Sequence, residues 1–256
     1  NLTIINRVYY DSALHLNAKV YDTEDKVRDR VYDLVIDYSS FAIKEKEYEF
    51  KKYNVKTDCY YAIFLSSTVT AQRYIYTTDL IEYKSLSATD NTGQFVDNKE
   101  NIGYLEYFLQ LLFRKQSFRL GQVPILDRAL RNKSVIGLLP TGGGKSLTYQ
   151  LAALLQPGVT IIIDPLKSLM EDQYYGLQSN GIDCCTFINN SISRDERDRR
   201  EYMIERSQCM FAFMSPERLC IYSFRKRLQN MYDLNVYFSY GVIDEVHCVS
   251  EWGQDF

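Results

Sequence analysis

The sequence predicts an α/β fold with a parallel sheet for residues 101–256, preceded by a small α+β domain in residues 1–100. After residue 101, short apolar runs alternate with helical patterns, which is typical of parallel βαβ units. A glycine-rich turn also lies between one predicted strand and the next predicted helix, at residues 139–146. A polar, turn-rich stretch at residues 85–101 is predicted to be a linker between the two parts.

The predicted elements of the first part are few. Residues 22–38 read as an amphipathic helix because the apolar residues of this stretch fall on one helical face: Val27, Val31, Leu34, Val35 and Tyr38. Residues 60–65 and 73–76 are rich in tyrosine and other strand-forming residues, so we predict two strands there.

The second part begins with two predicted helices, at 102–115 and 123–131. Strands and helices then alternate along the chain. The predicted strands are 134–139, 159–164, 184–188, 210–214 and 237–243, and the intervening helices are 145–155, 168–180, 194–206 and 217–229. Ligands of such sheets bind at the carboxyl ends of the strands, so residues after these ends are the candidates for function.

Composition excludes several classes of protein. Hydrophobic residues make up 46% of the 256 residues, yet no apolar run approaches the roughly 20 residues of a membrane span. The six cysteines form no C-x-x-C pair and there are only two histidines, which favours reduced thiols over a zinc site. The net charge of −3 does not indicate a nucleic-acid binder, so nucleic acid would need a local groove. Because the chain lacks an initiator Met and a terminal signal, we expect a piece of a longer protein.

The run from Leu139 to Ser146 predicts a nucleoside triphosphate site. Its small residues, Thr141, Gly142, Gly143 and Gly144, let backbone N–H groups curl around a phosphate at a helix N-terminus. The spacing predicts that Lys145 reaches the β- and γ-phosphates and that the Ser146 hydroxyl binds Mg²⁺. The strict phosphate-loop pattern has glycine where this chain has Leu139, but the phosphate-facing residues that follow are present.

The second half of the predicted site follows the strand at 237–243. Asp244 would hold Mg²⁺, and Glu245 would orient and deprotonate the water that attacks the γ-phosphate. We predict that His247, two residues on, relays the state of the nucleotide, and the alternative is a histidine that caps a helix or packs in the core.

Five blocks of sequence occur in a specific order, and together they resemble one family. The blocks are Phe118-Arg119-x-x-Gln122, residues 139–146, Asp164-Pro165-Leu166-x-Ser168-Leu169-Met170-x-Asp172-Gln173, residues 214–219, and Ile243 to Phe256 with its His-Cys-x-Ser-x-Trp-Gly run. Residues 104–256 resemble the first RecA-like lobe of a RecQ-family helicase of superfamily two. The resemblance implies a P-loop NTPase lobe with ATP and Mg²⁺ as cofactors.

The resemblance also implies roles for residues outside the two phosphate-handling motifs. Gln122 would read the adenine edge, because an amide can donate and accept at once, and Arg119 would support the base. The family's aromatic residue that stacks on adenine is replaced here by Lys115. The alternative for Gln122 is a capping or surface amide.

Nucleic-acid contacts are implied at three places. Lys167 and Ser168 would touch the phosphate backbone of a tracked single strand, unless they simply begin a helix. Ser215 and Arg218 would make a second backbone contact, and the competing interpretation is an N-cap followed by proline in the first turn. Trp252 and Phe256 lie in a segment similar to the family's aromatic-rich loop and would stack on unpaired bases, unless Trp252 is a packed structural residue. Family members generally have histidine at the position of Gln254.

The resemblance implies a DNA-stimulated ATPase that unwinds duplex DNA with 3′ to 5′ polarity, acting on single strands and duplex junctions. Two alternatives stay open: a translocase or sensor that does not separate strands, and a non-catalytic interaction module. Isolated, this chain is expected to hydrolyse ATP barely and to unwind nothing. We expect a cytoplasmic location, nucleoid-associated in a bacterium or nuclear in a eukaryote; protein partners and the role of residues 1–100 are not predicted.

Overall fold

The computed structural model describes residues 3–7, 17–21, 32–37, 59–64, 80, 83, 85–89, 91–92, 95–97, 99–156, 158–234 and 236–248. The described residues form two compact units that meet in sequence between Gln156 and Gly158. This division differs from the predicted boundary near residue 100, because residues 99–156 group with the residues before them.

The first unit contains a mixed sheet with the strand order β2-β1-β3-β4. Its strands are β1 (Thr3–Arg7), β2 (Asn17–Tyr21), β3 (Tyr32–Asp37) and β4 (Cys59–Phe64). Strand β1 is antiparallel to β2 and β3, whereas β3 and β4 are parallel. The strand predicted at 60–65 is confirmed by β4, and the strand predicted at 73–76 lies outside the described residues.

The predicted helix at 22–38 is wrong in its second half, where the chain forms β3. The run Leu34-Val35-Ile36 suits a strand as well as a helix face, and pairing with two neighbouring strands decides between them.

The predicted linker at 85–101 contains secondary structure. Strands β5 (Ser87–Thr89) and β6 (Phe95–Asp97) form an antiparallel hairpin, and helix α1 begins at Lys99. Tyr83 and Leu86 are buried. The stretch is therefore attached to the fold at its start and is not a free connection.

The described residues of the first unit also form three helices: α1 (Lys99–Phe113), α2 (Gln122–Leu130) and α3 (Lys145–Leu154). Their buried leucines and aromatics form its apolar interior: Leu105, Phe108, Leu109, Leu112, Leu126, Leu130, Leu151 and Leu154. The predicted helices are confirmed to within a few residues. The predicted strand at 134–139 is wrong. Within the described residues this stretch pairs with no strand, and its apolar side chains are not covered, since Ile136 and Leu138 are 81% and 85% exposed.

The second unit is a parallel sheet with the strand order β10-β7-β9-β8. The strands are β7 (Val159–Ile163), β8 (Cys185–Ile188), β9 (Phe211–Met214) and β10 (Phe238–Ile243). The helices are α4 (Lys167–Ser179), α5 (Arg194–Glu205) and α6 (Tyr222–Asp233). The parallel α/β sheet predicted from the alternation is thus confirmed. The predicted helix at 217–229 is divided at Ile221 into a 3₁₀ turn, Pro216–Cys220, and α6.

The core of the second unit lies between the sheet and helices α5 and α6. Val159, Ile188, Ala212 and Met214 come from the strands, and Ile204, Phe224 and Met231 come from the helices. Right-handed crossovers place α4 on one face of this sheet and the mutually packed α5 and α6 on the other. Among the described residues, no helix is both long enough and apolar enough to span a membrane. No disulfide is formed by the cysteines of the second unit, Cys184, Cys185, Cys209, Cys220 and Cys248.

Candidate nucleotide site and nucleic-acid surface

The glycine-rich turn of the first unit has the backbone of a phosphate-binding loop. Gly142 and Gly144 have φ angles of 73° and 76°, in the left-handed region that favours glycine. The N–H of Gly143 donates to the carbonyl of Pro140 at 2.8 Å, which closes a tight turn, and α3 starts immediately after Gly144. Lys145 and Ser146 therefore form the first turn of α3, with Thr141 exposed before them. The arrangement combines a compact loop with a helix N-terminus, which suits an anionic ligand.

The buried amide of Gln122 braces this loop. Its Nε2 donates to the carbonyls of Gly143 and Gly144 at 3.0 and 3.1 Å, and its Oε1 accepts from the N–H of Arg119 at 2.8 Å. Both amide donors are thus used within the protein. Reading an adenine edge needs a donor as well as an acceptor, so the adenine contact, which stays a prediction, would require Gln122 to give up some of these bonds.

Arg119 also acts on the loop in this arrangement. Its Nη1 donates to the carbonyl of Gly142, so its guanidinium is directed at the loop backbone. The support of a base by Arg119 stays a prediction, and the structure adds a contact of Arg119 with the loop. Together, Arg119 and Gln122 hold the carbonyls of three consecutive glycines.

Two residues without a predicted role attach the preceding segment to the helices around this loop. The carboxylate of Asp127 on α2 accepts from the N–H of Leu86 and, at 2.9 Å, from the hydroxyl of Ser85. The hydroxyl of Tyr83 donates to the carbonyl of Leu155, just after α3, at 2.6 Å. Asp127 looks like an ordinary helix-surface acid in the sequence, so only its burial identifies it.

The predicted catalytic residues of the second unit lie at the carboxyl edge of its sheet. Asp244 directly follows β10, and its N–H donates to the carbonyl of Ile163 in the parallel neighbour β7. One Asp244 carboxylate oxygen accepts from the N–H of Glu245 at 2.9 Å. Glu245 has a φ angle of 47°, unusual for a residue with a side chain, which turns the chain sharply after the strand.

His247 lies beside Glu245. Its Nδ1 is 3.3 Å from Oε2 of Glu245, and its side chain is 71% exposed. The interpretation as a core histidine is therefore wrong, and contact with Glu245 is the geometry that a relay would need.

Asp164 is a third carboxylate at this edge, and it had no predicted role. It follows β7, is fully buried, and accepts a hydrogen bond from the N–H of Leu166 at 2.9 Å. Burial raises the pKa of Asp164 to about 6; the Leu166 N–H opposes the rise, and the charges of Asp244 and Glu245 add to it. The edge is thus strongly electronegative, which favours a cation.

The chemistry of the donors fits Mg²⁺. This ion is bound in proteins by one or two carboxylates together with phosphates and waters. The carboxylate of Asp244 is a hard oxygen donor, held in place by the N–H of Glu245. In the other unit, the Ser146 hydroxyl in the first turn of α3 is by itself a hard oxygen donor.

The predicted nucleic-acid residues divide into three groups. Lys167 and Ser168 form the exposed first turn of α4, accessible to a ligand. Ser215 and Arg218, in contrast, are buried. Trp252 and Phe256 lie outside the described residues.

Arg218 belongs to an internal ion network. Its Nη1 is 3.3 Å from Oε1 of Glu201, and both side chains are at most 5% exposed. Burial lowers the pKa of Arg218 and raises that of Glu201, and each partner's charge opposes the effect on the other. The predicted backbone contact of Arg218 is corrected, because its charge is compensated inside the protein. Ser215 occupies the N-cap position before the 3₁₀ turn, and proline follows in the first turn, as the competing interpretation has it. The Ser215 side chain makes no capping hydrogen bond.

Comparisons with known proteins agree with the order of these motifs. Residues 119–256 match the model of the family described as DEAD/DEAH box helicase. The chain is similar to ATP-dependent DNA helicase RecQ of Haemophilus influenzae, 37% identical over 148 residues, which is 58% of this chain and 23% of the relative.

Two eukaryotic relatives are similar over the same share of this chain. ATP-dependent DNA helicase Q1 of Rattus norvegicus is 38% identical over 157 residues, 60% of this chain and 25% of the relative. ATP-dependent DNA helicase Q-like 4B of Arabidopsis thaliana is 36% identical over 153 residues, 59% of this chain and 13% of the relative. The chain thus spans a quarter or less of the length of these three relatives.

Proposed function

Because this chain belongs to the DEAD/DEAH box helicase family, we propose that it is the first lobe of a RecQ-like motor that hydrolyses ATP to move along single-stranded DNA and separate duplexes. The observation that carries the proposal is the phosphate loop, whose two left-handed glycines and tight turn lead directly into α3. The RecQ-type relatives support the choice of DNA.

In this proposal the loop residues bind ATP. Backbone N–H groups of residues 142–146 and the positive end of α3 hold the phosphates, and the Lys145 ammonium neutralises charge on the β- and γ-phosphates. Ser146 and Asp244 would each supply an oxygen donor to Mg²⁺, which would neutralise charge on the phosphates when bound. Gln122 and Arg119 keep the loop carbonyls turned away from the anion, which preserves the loop for binding.

Glu245 acts on the attacking water. Its carboxylate accepts the water proton while the oxygen bonds to the γ-phosphorus and the bond to the β-phosphate oxygen breaks. His247 responds to the charge of that carboxylate and relays the state of the nucleotide, and its distance of 3.3 Å from Glu245 supports this role. Lys167 and Ser168 contact the backbone of the tracked strand, and the polarity of movement is 3′ to 5′.

Steady-state hydrolysis tests this function in the intact protein. ATPase rates are measured without polymer and with single-stranded DNA, duplex DNA and RNA, for the unmodified protein and for Glu245→Gln. We expect strong stimulation by single-stranded DNA that Glu245→Gln abolishes. Duplexes with 3′ or 5′ tails then test unwinding and its polarity. Absence of hydrolysis with every polymer would refute the motor.

A further inference from the structure

Helix α6 presents an exposed face that carries one aromatic ring and two cations. Tyr222, Arg225 and Lys226 are spaced i, i+3 and i+4, so they are neighbours on the helix surface. All three are exposed, and Tyr222 is exposed to 74% despite its size. We call these three residues the α6 surface.

The opposite face holds the helix firmly in the unit. Phe224 and Met231 are fully buried in the core. Arg227 lies 3.2 Å from Glu201 and 2.9 Å from Glu205, and Asn230 donates to Glu205 at 3.2 Å. The α6 surface is therefore carried by a rigid element, which lowers the entropic cost of binding a ligand.

Within the described part of the chain, the two cations of the α6 surface lack the carboxylate partners that their neighbour Arg227 has. Among the described residues, neither Arg225 nor Lys226 forms an ion pair, and the first turn of α6 contains no acidic residue. Arg227, by contrast, is occupied by two carboxylates. Of the run Arg225-Lys226-Arg227, only the first two charges are available to a partner.

The α6 surface lies close to the functional edge of the sheet. A single 3₁₀ turn, Pro216–Cys220, connects the carboxyl end of β9 to the start of α6. Strand β7, whose carboxyl end leads to Lys167 and Ser168, is the hydrogen-bonded neighbour of β9. A ligand that lies along this edge can meet the first turn of α4 and the start of α6, whereas Ser215 and Arg218 between them are buried.

We propose that the α6 surface binds the single-stranded DNA, with Arg225 and Lys226 on successive phosphates and the ring of Tyr222 stacked on an unpaired base. This rests on the proposed function, and it transfers to α6 the contact that the sequence predicts for Arg218. A single strand offers both a row of anionic phosphates and the faces of its bases, so it is complementary to both parts of this surface. A duplex offers only the phosphates, so it would leave Tyr222 unused.

The test is the affinity of the intact protein for a fluorescent oligo-dT 20-mer and for a duplex of equal length, at several salt concentrations. Tyr222→Ala is expected to weaken single-strand binding about fivefold or more, because stacking on an aromatic ring contributes about 1–3 kcal/mol per base, and to leave duplex binding unchanged. The double substitution R225Q/K226Q is expected to weaken single-strand binding about tenfold. It should also reduce the slope of log affinity against log salt by about 1.4, since each phosphate contact contributes about 0.7.

Matched controls separate this surface from general effects. Tyr232→Ala removes an equally exposed tyrosine at the far end of α6, and Lys133→Gln removes an exposed cation of the other unit. Both should bind within about twofold of the unmodified protein, and binding of a fluorescent ATP analogue should be unchanged in every variant. If the α6 variants bind DNA as tightly as the controls while Lys167→Gln binds it more weakly, the proposed DNA contact of the α6 surface is wrong and the proposed motor function stands. If the unmodified protein binds no oligonucleotide, the proposed function itself fails.

Discussion

The two compact units stabilise their functional residues by different means. In the first unit, side chains bind backbone: Gln122 and Arg119 hold the carbonyls of the phosphate loop, and Asp127 holds the N–H of Leu86. In the second unit, charges act on charges: Arg218 and Arg227 pair with Glu201, and Asp164 is buried beside Asp244 and Glu245.

This difference predicts that the two units respond differently to substitutions and to pH. A loop held through its own backbone should tolerate changes of charge but not changes of backbone conformation. For a network of buried charges, the free energy of unfolding should fall strongly when one partner is removed, and it should depend on pH. The reason is that an uncompensated charge in the interior costs several kcal/mol.

The largest effect is expected at the edge of the second sheet. Glu245→Gln keeps the shape of the side chain but removes the proton acceptor, so DNA-stimulated ATP hydrolysis should fall by about 10²- to 10⁴-fold. Binding of a fluorescent ATP analogue should stay within a few fold, because the loop belongs to the other unit. Asp233→Asn, which removes an exposed acid at the end of α6, is the control and should hydrolyse normally. If Glu245→Gln hydrolyses ATP at the normal rate, Glu245 is not the proton acceptor.

The buried ion network should dominate the stability of the second unit. Arg218→Ala leaves Glu201 buried with Arg227 as its remaining partner, and breaking such a pair costs about 3–5 kcal/mol of unfolding free energy. Urea denaturation measures this. Arg225→Ala, on the exposed face of α6, should change stability by less than about 0.5 kcal/mol.

A double substitution tests whether the stability is lost because Glu201 is left with an uncompensated charge. R218M/E201L removes both buried charges and should recover much of the stability that Arg218→Ala loses. If Arg218→Ala unfolds like the unmodified protein but binds DNA more weakly, Arg218 acts on nucleic acid and our assignment is wrong.

The phosphate loop should be sensitive to backbone changes. At Gly144 a Cβ atom would lie 2.5 Å from Nε2 of Gln122, and the φ angle is left-handed. Gly144→Ala should therefore weaken binding of the ATP analogue about tenfold or more, since the left-handed conformation alone costs about 1–2 kcal/mol.

Substitutions at two other glycines distinguish the cost of the left-handed backbone from the cost of the contact with Gln122. Gly142→Ala has the same left-handed strain, but nothing lies within 4 Å of its Cβ, so it should weaken binding less. Gly103→Ala, on α1, meets nothing and should leave nucleotide binding unchanged while stabilising its helix by about 0.5–1 kcal/mol. Equal affinities for all three variants would contradict the bracing by Gln122.

The smallest effect concerns pH. The pKa of Asp164 is about 6 in the folded protein against an ordinary value of 3.8, so the folded state binds more protons between these values. The contribution of the Asp164 carboxyl to the free energy of unfolding is therefore fully present below about pH 4 and is lost as the pH rises through about 6.

Between about pH 5 and about pH 7.5 this loss should amount to about 1 kcal/mol of unfolding free energy. Asp164→Asn should remove that part of the pH dependence, whereas Asp195→Asn, on an exposed turn of α5, should retain it. Parallel pH profiles for Asp164→Asn and the unmodified protein would show that Asp164 is not the group responsible.

Local sequence patterns were enough to predict the alternation of strands and helices after residue 158 and the positions of the phosphate loop and of Asp244 and Glu245. These features are local: apolar runs, glycines with left-handed backbone and acids after a strand are encoded within a few neighbouring residues. For the same reason the order of the motifs was sufficient to indicate the family that the comparisons show.

Burial and long-range pairing depend on the tertiary structure. It forms a strand from residues 32–37, attaches Tyr83 and Leu86 to the helices, uses both donors of Gln122 on the loop and buries Arg218. Each outcome depends on a partner far away in sequence, such as β4 for β3 or Glu201 for Arg218. Burial, and with it the value of a charge or a hydrogen bond, is set by those distant partners and cannot be read from a local pattern.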